Sequence, residues 1–340
     1  MIAKSHHYGS HFASPKARAK TSGNPTDFWL KLIVKSNPSY PGGVPMTHTL
    51  SRKPLPYLKL FLLSLLLAGL IFLPFVILDG GYFFYYGDFN VQQIPFYQMC
   101  HDMIRQGEAG WNWYTDLGSN FVGSYAFYLM GSPFFWLTIP FPSGAVPYLM
   151  APLMMLKIAT AATTSFGYLR RFVRNPDYAF LGALMYAFSG YSIYNIFFNH
   201  FHEVIAFFPL LLIAMEEYFV DGRRGVFPLA VGLLAIVNYY FFFGEVIFCV
   251  LYFVVCAFTR KEYKVTVANF FLFALEAVLG LVLSMVLLFP AIMMVLSNPR
   301  LNNWLLGWSG LLYGNEQRYG LILSSLFYPP DVPAYPNLFP

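Results

Sequence analysis

Charged residues are scarce in this chain, and their scarcity excludes a soluble globular protein. Only 11% of the 340 residues are Asp, Glu, Lys or Arg, whereas soluble domains carry roughly 25%. Apolar residues make up 57% of the chain and aromatic residues 20%. The apolar residues are grouped in runs that are long enough to cross a bilayer. The composition therefore predicts an all-α polytopic membrane protein embedded in the lipid bilayer.

Cysteine is also rare, with three in the whole chain. Cys100 stands alone, and Cys249 and Cys256 share one face of a predicted helix, where packing is the simplest explanation. Neither a disulfide framework nor a cysteine metal cluster fits this spacing, and we expect no cofactor. The net charge of +5 comes from basic residues spread over short connections and the amino-terminal arm, so nucleic acid is not an expected partner.

The first 58 residues differ from the rest of the chain. They are strongly basic, contain Asp27 as their only acid, and include many Ser, Pro and Gly residues. Such a segment cannot bury enough apolar surface to fold alone. We therefore predict a disordered cytoplasmic arm over residues 1–58 and a transmembrane domain over residues 59–340.

About seven apolar runs in this domain have the character of membrane spans. They cover residues 60–78, 146–168, 178–197, 204–220, 226–243, 246–258 and 268–290. Basic residues follow the second, fourth and sixth runs, and the basic arm precedes the first. Because basic connections face the cytoplasm, we predict a cytoplasmic amino terminus. Residues 79–145 then form a large first extracytoplasmic loop.

Two segments of this loop are expected to lie on the membrane surface. Residues 121–142 are uncharged but interrupted by Gly and Pro, and a span there would place three basic clusters outside. We interpret them as interfacial or re-entrant structure. Residues 95–106 alternate apolar and polar side chains at helical spacing, which predicts an amphipathic helix parallel to the membrane. Its apolar stripe consists of Phe96, Cys100, Met103 and Ile104.

The start of the loop carries the strongest candidates for chemistry. Asp79 and Asp88 lie at or just past the end of the first span, among aromatic residues. Partial burial raises the pKa of a carboxylate toward the working pH, where it can accept a proton from a hydroxyl group. We favour Asp88 as a general base, and Asp79 is the second candidate because it could simply end a helix. Gln92, Gln93 and Asn120 are expected to contact a substrate.

Two further groups of polar residues could take part in function. His200, His202 and Glu203 lie close together and could bind a metal, contact a substrate or the first loop, or form a hydrogen-bonded interfacial cluster. No further ligand with recognisable spacing accompanies them, and we predict no metal site. Lys157 lies about midway along the second span, where charged residues usually face a cavity. It could meet a lipid phosphate or pair with Glu276.

Four long segments carry a pattern that is found elsewhere. They are GDFNVQQIPFY (87–97), LGSNFVGSYAFYLMGSPF (117–134), SGYSIYNIFFNHFHEVIAFFPLLL (189–212) and LFYPPDVPAYPNLFP (326–340). Together they resemble the YfhO-type bacterial membrane proteins, which are similar to C-type glycosyltransferases. The resemblance implies a polyprenyl-phosphate-linked sugar as donor and a cell-envelope polymer such as lipoteichoic acid as acceptor. It also implies a catalytic base in the first outer loop, which maps best to Asp88.

The resemblance also shapes the remaining expectations. The charge of a departing polyprenyl phosphate would be met by Arg105 or Lys157. YfhO-type proteins are usually longer, so we expect this chain to be an amino-terminal part that is truncated at its carboxyl end. A transporter or lipid flippase is the competing interpretation, although that class tends to place its ionisable groups near the midplane of the membrane. An inactive membrane fragment is the third.

Overall fold

A computed structural model describes residues 54–115 and 117–297, all within the compact unit His48–Pro340. The described residues are mostly helical. The helices are α1 (Pro54–Leu78), α2 (Ile94–Gln106), α3 (Phe121–Tyr125), α4 (Pro133–Trp136), α5 (Val146–Leu169), α6 (Pro176–Ala187), α7 (Gly190–Tyr194), α8 (Phe201–Phe219), α9 (Val226–Val237), α10 (Tyr239–Thr259) and α11 (Val267–Leu296). The predicted disordered arm lies almost wholly outside the described residues.

Four helices in the described part of the chain are long and apolar enough to cross a membrane, namely α1, α5, α10 and α11. Helix α8 is 19 residues long, but Glu203, Glu216 and Glu217 make it more polar. Helices α6 and α9 are apolar and contain 12 residues each. The fold class predicted from composition, an all-α membrane protein with several apolar helices, is confirmed.

Two of the predicted spans are not continuous helices. The run 178–197 is interrupted between α6 and α7. The run 226–243 ends at Asn238, whose backbone is extended with φ −159°. The Asn238 side chain accepts a hydrogen bond from the Phe241 N–H at 3.2 Å and donates one to the Phe127 carbonyl at 3.1 Å. A polar side chain that caps the next helix therefore breaks the helix inside an apolar run.

Helix α5 lies at the centre of the larger apolar core. It packs against α1, α6 and α8, and buried small residues such as Ala159, Ala162 and Ala183 allow close approach. In a membrane this close packing, rather than the hydrophobic effect, holds helices together. A smaller core joins α8, α9, α10 and α11, where Gly280 of α11 lies against Val231 of α9. Cys249 and Cys256 pack in this smaller core, as predicted.

The first half of the 79–145 loop folds into a helical platform. A π-helical turn, Phe89–Gln93, leads directly into α2, which begins one residue before the predicted start. Tyr97, Cys100 and His101 form the buried side of α2, whereas Asp102 is half exposed. The predicted helix is confirmed, but Cys100 is the only fully buried residue of its predicted apolar stripe, because Phe96, Met103 and Ile104 are partly buried. Its orientation parallel to the membrane stays a prediction.

The second half of the loop consists of short pieces of regular structure. Two short antiparallel strands, β1 (Trp111–Asn112) and β2 (Ser119–Asn120), precede α3. Residues 121–142 then form α3, a π-helical turn over Ala126–Met130, and α4. The apolar helix in this segment, Phe121–Met130, is too short to cross a membrane, which agrees with its rejection as a span.

Basic connections meet at one end of the helices. Arg171, after α5, pairs with Asp221, after α8, at 2.5 Å. Arg260, after α10, binds both carboxylate oxygens of Glu216 near the end of α8, at 2.6 and 3.0 Å. The connections that carry the basic residues therefore lie together. The side of the membrane that this end faces remains a prediction.

Candidate functional site

A fully enclosed ion pair connects α5 with the beginning of α8. The Lys157 Nζ lies 2.8 Å from the Glu203 Oε1, and both side chains have 0% exposure. Pairing of Lys157 with Glu276, one of the two alternatives that the sequence left open, is wrong: Lys157 pairs with Glu203, and the Glu276 carboxylate accepts a hydrogen bond from the backbone N–H of Gly225 at 3.3 Å. Glu203 is the nearer partner because α8 packs directly on α5.

The ion pair is part of a buried polar cluster. Lys157 also donates to the side-chain oxygen of Asn199 at 2.8 Å and to the Asn199 carbonyl at 3.1 Å. The Glu203 Oε1 accepts hydrogen bonds from Ser132 and, at 3.5 Å, from the Tyr97 hydroxyl. A buried charge is stable only when it is paired and hydrogen-bonded. The cluster (Tyr97, Ser132, Lys157, Asn199 and Glu203) therefore joins the platform, α5 and α8.

The two histidines of the HFHE segment face different partners. The His200 Nδ1 lies 3.2 Å from the amide oxygen of Gln93, and the His202 Nε2 lies 2.8 Å from the Ser192 carbonyl. Burial, with a smaller contribution from the charge of Lys157, lowers the pKa of His200 to about 3, so its ring is neutral at physiological pH. Among the described residues no group of three His, Cys, Asp or Glu side chains could hold a metal ion.

A chain of hydrogen bonds runs from His200 to the platform surface. Gln93 donates to the side-chain oxygen of Gln92 at 3.1 Å, and Gln92 donates to the hydroxyl of Tyr128 at 3.4 Å. Burial and, to a smaller extent, the charge of Asp88 raise the pKa of Tyr128. Gln92 and Gln93 thus link the surroundings of Asp88 to the buried histidine.

Asp88 itself is half buried at the entrance to the π-helical turn. Its carboxylate makes no hydrogen bond within the described part of the chain. The preceding Gly87 adopts a left-handed conformation with φ 56°. Asn90 closes the loop around it, because its side chain accepts from the Tyr85 N–H at 2.9 Å and donates to the Tyr85 carbonyl. The fold therefore holds a carboxylate with open acceptor capacity at the surface of the platform.

Three other predicted site residues are not part of the buried cluster. Asp79 is exposed just after α1. Arg105 is near the far end of α2, about 16 Å along the helix axis from Ile94, and donates to the Phe141 carbonyl at 2.7 Å. Asn120 caps α3 by accepting from the Gly123 N–H at 2.7 Å, which gives it a structural role.

Sequence reasoning missed four residues that the structure brings to this region. Tyr97, Ser132 and Asn199 complete the cluster around the ion pair, and Tyr128 accepts a hydrogen bond from Gln92. A lysine and a glutamate within apolar sequence were a signal that a buried pair exists. The neutral partners carried no comparable signal, because Ser and Tyr occur throughout this chain.

Comparison with known proteins identifies the family. A family model described as bacterial membrane protein YfhO matches residues 60–306. None of the curated proteins and none of the solved structures matches this chain. The match covers most of the chain, from α1 through α11 and past its end. The chain therefore belongs to the YfhO family of bacterial membrane proteins.

Proposed function

We propose that this protein is a membrane glycosyltransferase that moves a sugar from a polyprenyl-phosphate donor to a cell-envelope polymer, such as lipoteichoic acid, on the outer face. The family membership and the similarity of YfhO-type proteins to C-type glycosyltransferases support this class of reaction. The observation that carries it is the half-buried Asp88 carboxylate, which has open acceptor capacity at the entrance to the π-helical turn. A general base needs such a free acceptor within reach of a substrate hydroxyl.

In the proposed reaction Asp88 takes the proton from an acceptor hydroxyl. The resulting oxygen attacks the anomeric carbon of the sugar and forms the new glycosidic bond. The bond between this carbon and the phosphate oxygen breaks, and the polyprenyl phosphate leaves with the electron pair. Because phosphate is a good leaving group, one displacement with inversion of configuration suffices.

The two predicted phosphate-binding cations have different roles in this proposal. Lys157 is enclosed and neutralised by Glu203, so it organises the cluster beneath the Gln93–His200 contact. Arg105 is exposed, and no carboxylate pairs with it in the described part of the chain. Its charge would attract the donor phosphate to the platform. Arg105 lies in the last turn of α2, whereas Asp88 precedes the turn that leads into this helix, and this arrangement argues against contact of Arg105 with the leaving group during transfer.

The proposal is tested by replacing Asp88 with asparagine. The amide keeps the shape of the side chain but cannot accept the proton, so we expect transfer to fall about 10²–10⁴-fold. The assay uses the protein in vesicles, radiolabelled polyprenyl phosphate glucose or polyprenyl phosphate N-acetylglucosamine as donor, and lipoteichoic acid as acceptor. Asp79→Asn is the matched control and should retain most of the activity. If the Asp88→Asn variant transfers sugar at the wild-type rate, Asp88 is excluded as the base.

A transporter or lipid flippase is the second candidate, and the Lys157–Glu203 pair is the observation that favours it. Ionisable pairs enclosed among apolar helices are frequent in transport pathways. Vesicles that contain fluorescent polyprenyl phosphate, with no acceptor, separate the two functions. Movement of the lipid between leaflets in the wild type, and its loss in Glu203→Gln while Asp88→Asn remains active, would support transport over transfer.

A further inference from the structure

Helix α10 turns its one acidic residue toward the interior of the protein. Its sequence, YYFFFGEVIFCVLYFVVCAFT, contains Glu245 in the second turn. Glu245 is only 7% exposed, and Cys256 is the other buried residue of this helix. The neighbouring Phe243 and Val246 are exposed. A helix that presents apolar side chains outward therefore points a carboxylate inward, although nothing in its packing requires an acid at this place.

The Glu245 side chain lines a cavity that is separate from the Asp88 region. The cavity has a volume of about 280 Å³ and lies where α10 faces α8 and the break between α6 and α7. Aromatic residues form much of its wall, in particular Tyr186, Tyr191, Phe201 and Phe208. Pockets for drug-sized ligands span roughly 300–1,000 Å³. The space therefore fits a small group, such as one head group, rather than a long chain.

The carboxylate of Glu245 has no partner in the described part of the chain. Both of its oxygens are buried and make no hydrogen bond. The nearby Tyr186 hydroxyl donates instead to the Ile205 carbonyl at 2.8 Å, and the charge of Lys157 is taken up by Glu203. A buried carboxylate without a partner is costly, so it either stays protonated or binds a cation.

We propose that this cavity binds an organic ammonium group, with Glu245 as counter-charge and the aromatic rings as its wall. Aromatic faces attract ammonium groups through cation–π contact, and this attraction is strongest when water is excluded. Hard metal ions instead require several oxygen ligands, and among the described residues that line the cavity Glu245 provides the only carboxylate. Glu245 lies about 9 Å along the axis from the start of α10, a depth that suits a lipid head group as well as a small soluble amine.

Binding of tritiated choline to the purified chain tests this proposal. The protein is placed in nanodiscs of phosphatidylglycerol, which carries no amine, and binding is measured by equilibrium dialysis. We expect saturable binding to the wild type that is about tenfold weaker in Glu245→Gln. Glu108→Gln is the matched control because Glu108 is an exposed glutamate of the 79–145 loop, and it should bind as the wild type does. Tyr191→Leu should weaken binding about fivefold.

A second arm identifies the source of the ammonium group. If lipid head groups enter the cavity, phosphatidylethanolamine added to the nanodiscs should lower choline binding. If only soluble amines enter, choline binding should stay unchanged. Absence of saturable choline binding to the wild type would overturn the proposal, as would equal binding to Glu245→Gln. The measurement needs no glycosyl donor, so its result is independent of the proposed transfer reaction.

Discussion

Among single residues, Lys157 and Glu203 are the most dependent on each other. Both are enclosed, and each provides the opposite charge that the other needs. Asn199, Ser132 and Tyr97 add hydrogen bonds but no net charge. The loss of one partner therefore leaves an uncompensated charge in a medium that cannot solvate it. The loss of both leaves only a polar cavity.

We predict that Lys157→Met and Glu203→Gln each destabilise the protein, whereas the double variant is less affected than their sum. Removing one member of a buried pair typically costs about 3–5 kcal/mol. The free energy of unfolding in mixed detergent micelles measures this, and the double-mutant cycle gives the coupling between the two residues. Additive effects would mean that the two charges do not stabilise each other.

At the same scale, Cys100 is predicted to react slowly with thiol reagents. Burial raises the pKa of the Cys100 thiol, and the thiolate is the reactive form. A raised pKa keeps the thiol protonated near neutral pH, so reactivity should appear only as the pH rises. Maleimide labelling in a Cys249→Ala, Cys256→Ala background measures this. Glu108→Cys in the background that also lacks Cys100 should label rapidly, and equally fast labelling of Cys100 would contradict its burial.

At the scale of elements, the contact between α9 and α11 depends on the absence of a side chain. A Cβ atom at Gly280 would lie 2.6 Å from the Val231 Cβ and 2.7 Å from the Pro228 carbonyl oxygen. Both distances are too short for any real contact, and neither neighbour is a flexible side-chain end. The two helices can therefore approach this closely only with glycine at this position.

We predict that Gly280→Ala lowers the free energy of unfolding by about 1–3 kcal/mol because it forces α9 and α11 apart. Gly244→Ala is the control, since a Cβ atom at Gly244 meets nothing within 4 Å. Alanine there should be neutral or stabilise α10 by about 0.5–1 kcal/mol. Unfolding in mixed micelles compares the two variants, and equal effects would show that the contact is loose.

The elements differ in how far the sequence could predict them. Helix α2 was predictable because its apolar and polar residues repeat with helical period. The break at Asn238 was not, because it depends on the Phe127 carbonyl, which is distant in sequence and accepts the side-chain amide. Asn238 in an apolar run was the only local sign. The sequence around Asn238 does not show which polar group from another part of the chain will accept its hydrogen bond.

The candidate site shows the same limit. Gln93 and His200 were predicted as site residues from two separate polar segments of the sequence, and the structure brings them into contact. Glu276, one of the two alternatives for Lys157, was the wrong partner, because both Glu203 and Glu276 lie in apolar helices and helix packing decides between them. The position of Arg105 outside the cluster could not be predicted either, because it depends on the direction in which α2 runs from the π-helical turn. The role of Asp88 as a base stays a prediction.

For the whole molecule, the two ends of the helices differ in charge, and this predicts an orientation. Arg171, Arg223 and Arg260 lie at the end where connections pair with Asp221, Glu217 and Glu216. In a background without native cysteines, Arg223→Cys should resist a membrane-impermeant maleimide in intact cells, and Glu108→Cys should react. Both side chains are exposed, so burial does not limit labelling. The reverse pattern would invert the topology.

The enclosed pair between α5 and α8 also has a consequence for synthesis. A lysine at the centre of a helix that enters the membrane alone costs about 2.5–3.5 kcal/mol. The ribosome makes α5 first and, at roughly 5–20 residues per second, supplies Glu203 a few seconds later. During this interval Lys157 has no counter-charge from α8. We therefore expect α5 to stay beside the insertion machinery until α8 emerges, so that the two helices leave it for the lipid together.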